Sequence, residues 1–232
     1  MLAPSLDEHG YSIATNVVAA ELRERLLAVF TVATDGRAGN RGGFEHAAVR
    51  ELACSAKVRA LVEPVLGAAA FAHRATLFDK TPAANWLVGW HQDLVVPVGE
   101  RRDIEGFGPW SEKDGVWHVQ PPAGCLSHLL AVRIDLDGSD LINGALRVLP
   151  GSHQFGVLGP ERIAALADSL PAVVCEVPLG GALLMRPLLL HSSRRAMAAS
   201  HRRVVHLEFA ASCLPGGIPF ADQVGGSVTT AG

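Results

Sequence analysis

Apolar residues first recur at helical spacing. Leu22, Leu26, Val29 and Phe30 fall three to four residues apart, with Glu21, Arg23, Glu24 and Arg25 on the other face. This stripe predicts an amphipathic helix starting near Val17, with Thr15 or Asn16 as its cap. Val58, Leu61, Val62 and Val65 repeat the pattern and predict a second helix over 55–66, ended or bent by Pro64. From Phe71 the period changes. Short apolar runs at 75–79, 86–91, 126–136, 145–149, 173–177, 182–185, 188–191 and 204–211, punctuated by Gly, Pro and Asp, predict strands. Only 160–169, opened by Pro160, returns to helix. Many short strands with Gly/Pro turns favour a sandwich or jelly roll, mainly β with flanking helices. The expected organisation is one domain over 1–232: a mainly helical part at 1–70, a barrel core at 71–211, and a tail at 212–232, loose at its end.

Two connections interrupt the pattern. Gly36 to Gly43 is Gly-rich but has no G-K-[ST], so it reads as a flexible linker and not a phosphate loop. Pro97 to Pro122 is long, and its aromatics and His118 argue against disorder. It is expected to be a lid facing the substrate, with Trp110 and His118 as contacts; an ordered surface loop without a catalytic part is the competing reading.

Composition narrows the class. The 232 residues are 49% apolar, enough for a sizeable core, and the net charge of −3 gives no bulk attraction to nucleic acid or an anionic membrane. No apolar run approaches the ~20 residues of a membrane span. The N-terminus lacks the basic and apolar regions of a signal peptide, so a cytoplasmic location is expected. Cys54, Cys125, Cys175 and Cys213 form no C-x-x-C pair and are expected to behave as small apolar residues.

The candidate chemistry lies in Trp90-His91-Gln92-Asp93. On an extended strand, residues i and i+2 share a side, so His91 and Asp93 can grip one ion, with His191 arriving from a distant strand. Two imidazoles and a carboxylate are the facial triad of non-haem Fe(II) sites. A lone H-x-D is weak, however; such a tripeptide is more often a hydrogen-bonded histidine with an aspartate in a turn or cap. Arg202 follows His191 by eleven residues and opens a strand, where its guanidinium can clamp a carboxylate, as Ser193 can with its hydroxyl. Among Arg194, Arg195, His201 and Arg203 a solvated strand-end charge is the commoner reading of it in isolation.

Taken with the block Asn143-Gly-Ala-Leu-Arg-Val-Leu-Pro-Gly-Ser-His153 and with Ser200-His-Arg-Arg203, these segments resemble the phytanoyl-CoA dioxygenase family of Fe(II)/2-oxoglutarate oxygenases, over residues 76–209. The resemblance implies a double-stranded β-helix (jelly roll, cupin-like). It implies iron on His91, Asp93 and His191, 2-oxoglutarate on Arg202 with help from Ser193, and O₂ as oxidant of a small-molecule C–H bond, most simply by hydroxylation. Lys80 and Asn85 precede the H-x-D closely enough to reach the 2-oxoglutarate pocket, exposed turn residues being the alternative. His153 is expected to order its loop, His128 and His206 to sit in the core, and Trp90 to pack behind His91. The scattered Arg and Lys suggest no basic patch for a CoA thioester, and a compact, mostly apolar substrate is expected. Two other readings share the triad: a non-catalytic jelly-roll binding protein that retains the metal site, and a zinc hydrolase.

Overall fold

The structure, a computed structural model, describes residues 2–33, 39–197 and 201–226. In chain order the elements are α1 (Leu2–Glu8), β1 (Tyr11–Ala14), α2 (Ala20–Ala33), β2 (Gly39–Asn40), α3 (Ala47–Cys54), α4 (Ala56–Leu66), β3 (Phe71–Lys80), β4 (Val88–His91), β5 (Val96–Val98), β6 (Trp110–Lys113), β7 (Val116–Val119), α5 (Ala123–Leu126), β8 (Leu130–Asp135), β9 (Leu146–Val148), α6 (Pro160–Ser169), β10 (Val173–Val174), β11 (Gly181–Met185), β12 (His191–Ser193) and β13 (Arg202–Ala210). A major sheet runs β1-β11-β8-β13-β3-β2, a minor one β10-β9-β12-β4, and a third β5-β7-β6. The first two make the double-stranded β-helix.

The period of two divides the major sheet into unlike faces. Leu77 of β3, Val205 and Leu207 of β13, and Val132 and Ile134 of β8 point outward, are fully buried, and pack with Leu26, Phe30, Leu52 and Val62 of the helices. Each such side chain contributes about 1.5–3 kcal/mol. The inward face carries Arg74, Thr76, Lys80, Arg133, Asp135, Arg202, His206 and Glu208, all buried except the partly buried Arg74. The register sets Arg202 opposite Lys80, His206 opposite both Thr76 and Arg133, and Glu208 opposite Arg74. Leu146, Val148, Leu183, Met185 and Leu189 close one end of the space between the sheets. The other end stays open and is lined by the charged residues.

Several boundaries differ from those expected. The predicted lid contributes to a three-stranded sheet, its β6–β7 hairpin turning at Asp114 (φ 53°) and Gly115 (φ 78°). That pair of positive φ values is what Asp-Gly supplies in a two-residue hairpin turn. Val17 and Val18 do not start a helix; their N–H groups bond the Gly180 carbonyl, and Asn16 has φ 56°. α4 runs two residues past Pro64, which deprives the Ala60 carbonyl of its donor one turn back, and ends at Gly67 (φ 86°). Residues 126–129 turn before β8 begins, leaving His128 exposed on the Gly124 carbonyl and not in the core. The expected linker lies partly outside the described residues; Gly39 and Asn40 pair with Phe78 and Leu77. In the tail Leu214, Ile218 and Phe220 are buried and Val224 bridges Ala72, while the predicted loose end lies outside the described residues. Of the cysteines only Cys175 is buried, which pushes its thiol up to about 12. Among the described residues no helix is long and apolar enough to cross a membrane.

Candidate active site

β4 and β12 are neighbours in the minor sheet, and their register sets His91 directly opposite His191. The rings lie 4.1 Å apart. Asp93 follows two residues on, its backbone N–H fixed by the Pro187 carbonyl. Its two oxygens approach His91 Nε2 at 3.8 Å and His191 Nε2 at 3.6 Å. One ligand atom from each residue falls within 4.8 Å of the others, somewhat wider than the at most ~4.2 Å between donors sharing one ion at ~2.1 Å, so small side-chain shifts close the set on a metal.

The donor set fits a metal. His91 Nδ1 lies 2.9 Å from the Gly89 carbonyl, and His191 Nδ1 lies 2.9 Å from the Leu189 carbonyl. A carbonyl only accepts, so both rings carry hydrogen on Nδ1 and turn a lone pair on Nε2 toward Asp93. Burial holds His191 down to about 4, keeping it neutral and able to ligate. Burial alone raises the Asp93 carboxyl, but the imidazoles of His191, His206 and His91 around it outweigh this and hold it below the usual range. The Ser152 hydroxyl accepts from the Leu190 N–H, and the Gln92 amide donates to the Leu188 carbonyl; together they pin the chain entering β12.

The cavity behind these residues is about 770 Å³. Arg202 lines it, 4% exposed, with Nη1 donating to the Gly144 carbonyl and a buried Nε that has no partner. Ser193 also lines it and donates to the same carbonyl at 3.3 Å. Gly144 (φ 78°) can carry no side chain there: a Cβ would sit 2.6 Å from the Arg194 carbonyl oxygen. Lys80 is 1% exposed and stands behind Ser193, donating to its Oγ at 2.6 Å and to the Arg194 carbonyl. Burial, reinforced by Arg202 and Arg133, lowers its ammonium to about 7.

This depressed value fixes a pH dependence. Unfolded, the lysine holds its proton up to about 10.5; folded, only to about 7. Between those limits the unfolded chain binds more protons, so the ligand-free protein gains stability as pH rises through the window, and below it carries the whole cost of the buried charge. We expect the stability difference between wild type and Lys80→Met to grow in favour of wild type by roughly 2 kcal/mol from pH 6 to pH 9 in urea unfolding. A constant difference would assign Lys80 an unperturbed ammonium.

Other expected contacts fall differently. His118 is buried in the cavity wall, its Nδ1 on the Val116 carbonyl, and burial lowers its pKa. Trp110, one strand away, is outside the lining and packs, like Phe107 and Trp117, against the buried cluster that contains Val96, Val98 and Val119. Asn85 is outside it too: its amide bonds the backbone N–H and carbonyl of Ala196 and ties down the segment after β12. His153 reaches the Asp7 carbonyl and orders its loop as expected, and Trp90 packs behind His91 with Leu149 and Leu190. The substrate expected from the sequence is compact and mostly apolar, but the lining is mixed: Phe78, Trp86, Val88, Leu94 and Leu146 supply apolar surface beside charged groups. Arg41, Arg74, Lys113 and Arg133 converge on the cavity from four strands or loops, with Thr76 and Gln120 between them. Arg74 pairs with Glu208, whose carboxyl Arg74 and His206 depress against its burial. His206 is buried as expected, but as a link in this chain, between Glu208 at 3.1 Å and Arg133 at 3.2 Å.

The phytanoyl-CoA dioxygenase (PhyH) family model matches residues 6–204. No curated protein matches the sequence. Among solved structures, similar folds include the non-haem alpha-ketoglutarate-dependent epimerase SnoN from nogalamycin biosynthesis (17% identity, 97% of this chain and 87% of that one, TM-score 0.69). EctD from S. alaskensis is comparable (19%, 93% and 78%, TM-score 0.70), as is AviO1 from Streptomyces viridochromogenes Tue57 (20%, 93% and 96%, TM-score 0.66). At these identities the likeness is one of fold.

Proposed function

Because the chain belongs to the phytanoyl-CoA dioxygenase family, and is thereby an Fe(II)/2-oxoglutarate-dependent oxygenase acting on small molecules, we propose that His91, Asp93 and His191 hold the iron and that residues 1–232 act as one catalytic domain in the cytoplasm. The observation that carries the assignment is the pair of Nε2 lone pairs, freed by Nδ1–H bonds to backbone carbonyls and aimed at one carboxylate. Ferrous iron bound there with 2-oxoglutarate supplies the activation of O₂, and the co-substrate leaves as succinate and CO₂.

The chain's own groups set the geometry. Arg202 takes the distal carboxylate of 2-oxoglutarate through its free N–H groups, and the Gly144 carbonyl fixes its angle. Ser193 stands beside it, and protonated Lys80 adds charge from behind. Phe78, Trp86 and Leu94 exclude water around the centre. His118 and Gln120 face the substrate from the third sheet, which serves as one wall of its chamber. The reaction is hydroxylation of a C–H bond of a small molecule, and the charged lining suits a polar one.

Anaerobic titration of the Fe(II)-protein with 2-oxoglutarate tests the assignment. A weak visible charge-transfer band should appear in the wild type and vanish in His191→Ala. Its absence from well-folded wild type would leave a jelly-roll binding protein as the better description.

A further inference from the structure

Three buried cations under the major sheet form no ion pair, although the Asp135 carboxylate acts on Arg133 and Arg202 from a longer distance. Lys80 is 1% exposed, Arg202 4% and Arg133 9%, and among the described residues no carboxylate comes within ion-pair distance of any of them. An unpaired buried charge is costly, so such groups are retained where a ligand supplies the counter-charge. The proposed role of 2-oxoglutarate accounts for Arg202 and, beside it, Lys80. It leaves Arg133 over.

Arg133 is held in a defined attitude. It lies on β8 opposite His206, whose Nδ1 accepts from its Nη1 at 3.2 Å. A guanidinium only donates, so this ring carries its hydrogen on Nε2, which donates to Glu208 at 3.1 Å; Glu208 in turn pairs with Arg74. The near carboxylate on its own strand, Asp135, is engaged by the Ser139 hydroxyl. Arg133 therefore spends one N–H on a ring and holds its plane against the Phe78 ring at 5.5 Å. Both the cavity and the recess behind it are lined by Arg133 together with Arg202, and the cavity wall also contains Asp93 and His191. Asp135 and then Asp93 act on Arg133, and Arg133 acts on both Arg202 and His191, which sets it within electrostatic reach of the clamp and of the metal residues.

A co-substrate that joins the clamp to the metal presents two carboxylates, one at each end. We infer that Arg133 is a second guanidinium for 2-oxoglutarate, taking the carboxylate of the chelating end while Arg202 takes the distal one. This rests on the oxygenase reading above and adds a residue from a strand that carries neither the metal ligands nor the clamp.

The test uses two probes, 2-oxoglutarate and 2-oxopentanoate, which keeps the chelating keto-acid and lacks the distal carboxylate. Each is titrated anaerobically into Fe(II)-protein, with the visible band and the heat of binding as readouts. Arg202→Gln should weaken 2-oxoglutarate alone. Arg133→Gln should weaken both probes by a similar factor, ~10- to 100-fold for the loss of a charge-assisted contact. Arg133→Lys keeps the charge without the two-pronged geometry and should weaken both several-fold, which covers the case in which the glutamine variant does not fold. Wild-type affinity for both probes in either folded variant would overturn the inference and give Arg133 to the prime substrate. A loss confined to 2-oxoglutarate would overturn it too, by moving Arg133 to the distal end. If wild type gives no band with 2-oxoglutarate, the oxygenase reading falls first, and this inference with it.

Discussion

Asp93→Ala is expected to give a folded protein that releases succinate at least ~10³-fold more slowly than wild type, the scale on which loss of a group acting with its partners as one unit is felt. His91 and His191 meet at Asp93 and contribute neutral nitrogens, so the carboxylate is the single negative charge at their meeting point. Without it two imidazoles remain, a set with much less hold on a hard divalent ion. Folding should survive, because Asp93 lies at the open end of the sandwich and its backbone N–H bond to Pro187 needs no side chain. Succinate formation by NMR, with iron content and a thermal melt on the same sample, decides the matter. Turnover within tenfold of wild type in the alanine variant would remove Asp93 from the metal site.

The second large effect is expected from Arg202→Gln. A buried cation that meets a carboxylate directly loses about 2–4 kcal/mol when truncated, or ~30- to 1000-fold in affinity for 2-oxoglutarate. The variant should approach wild-type turnover as 2-oxoglutarate is raised, since the metal residues are untouched. Its ligand-free melting temperature should not fall, because Arg202 has no carboxylate to lose and a buried Nε with no partner. Unchanged KM for 2-oxoglutarate would return Arg202 to a structural part, as support for the Gly144 turn.

The site was legible where chemistry and the strand period coincide. His91 and Asp93 are two residues apart on an extended segment, and the Asn143–His153 block carries Gly144, Ser152 and His153 in the places the loop needs them. What stayed hidden depends on pairing between strands far apart in sequence. Arg74, Arg133 and Glu208 meet only because β3, β13 and β8 lie side by side, and a single chain gives no register for that. His206 looked like a core histidine, and burial is indeed its state; its partners were the unreadable part. The β6–β7 hairpin was missed although Asp114-Gly115 is a strong turn signal, because the exposed Trp-Ser-Glu-Lys edge shows no clean alternation. Asn85 shows the opposite error: closeness in sequence to the site suggested a ligand contact, and its amide is consumed by Ala196.

The half-charged, half-apolar sheet also bears on how long the protein lasts in a cell. With nothing in its cavity, the fold holds Lys80, Arg133 and Arg202 buried beneath one sheet with no ion pair of their own, and the empty form is expected to open more often. A ligand that binds only the folded chain adds about 2.7 kcal/mol at a hundred times its Kd, and proteases that act on the opened form see that form become correspondingly scarcer. Supply of the dicarboxylate would then govern abundance as well as rate: a cell rich in 2-oxoglutarate keeps its copies, and a starved one degrades them.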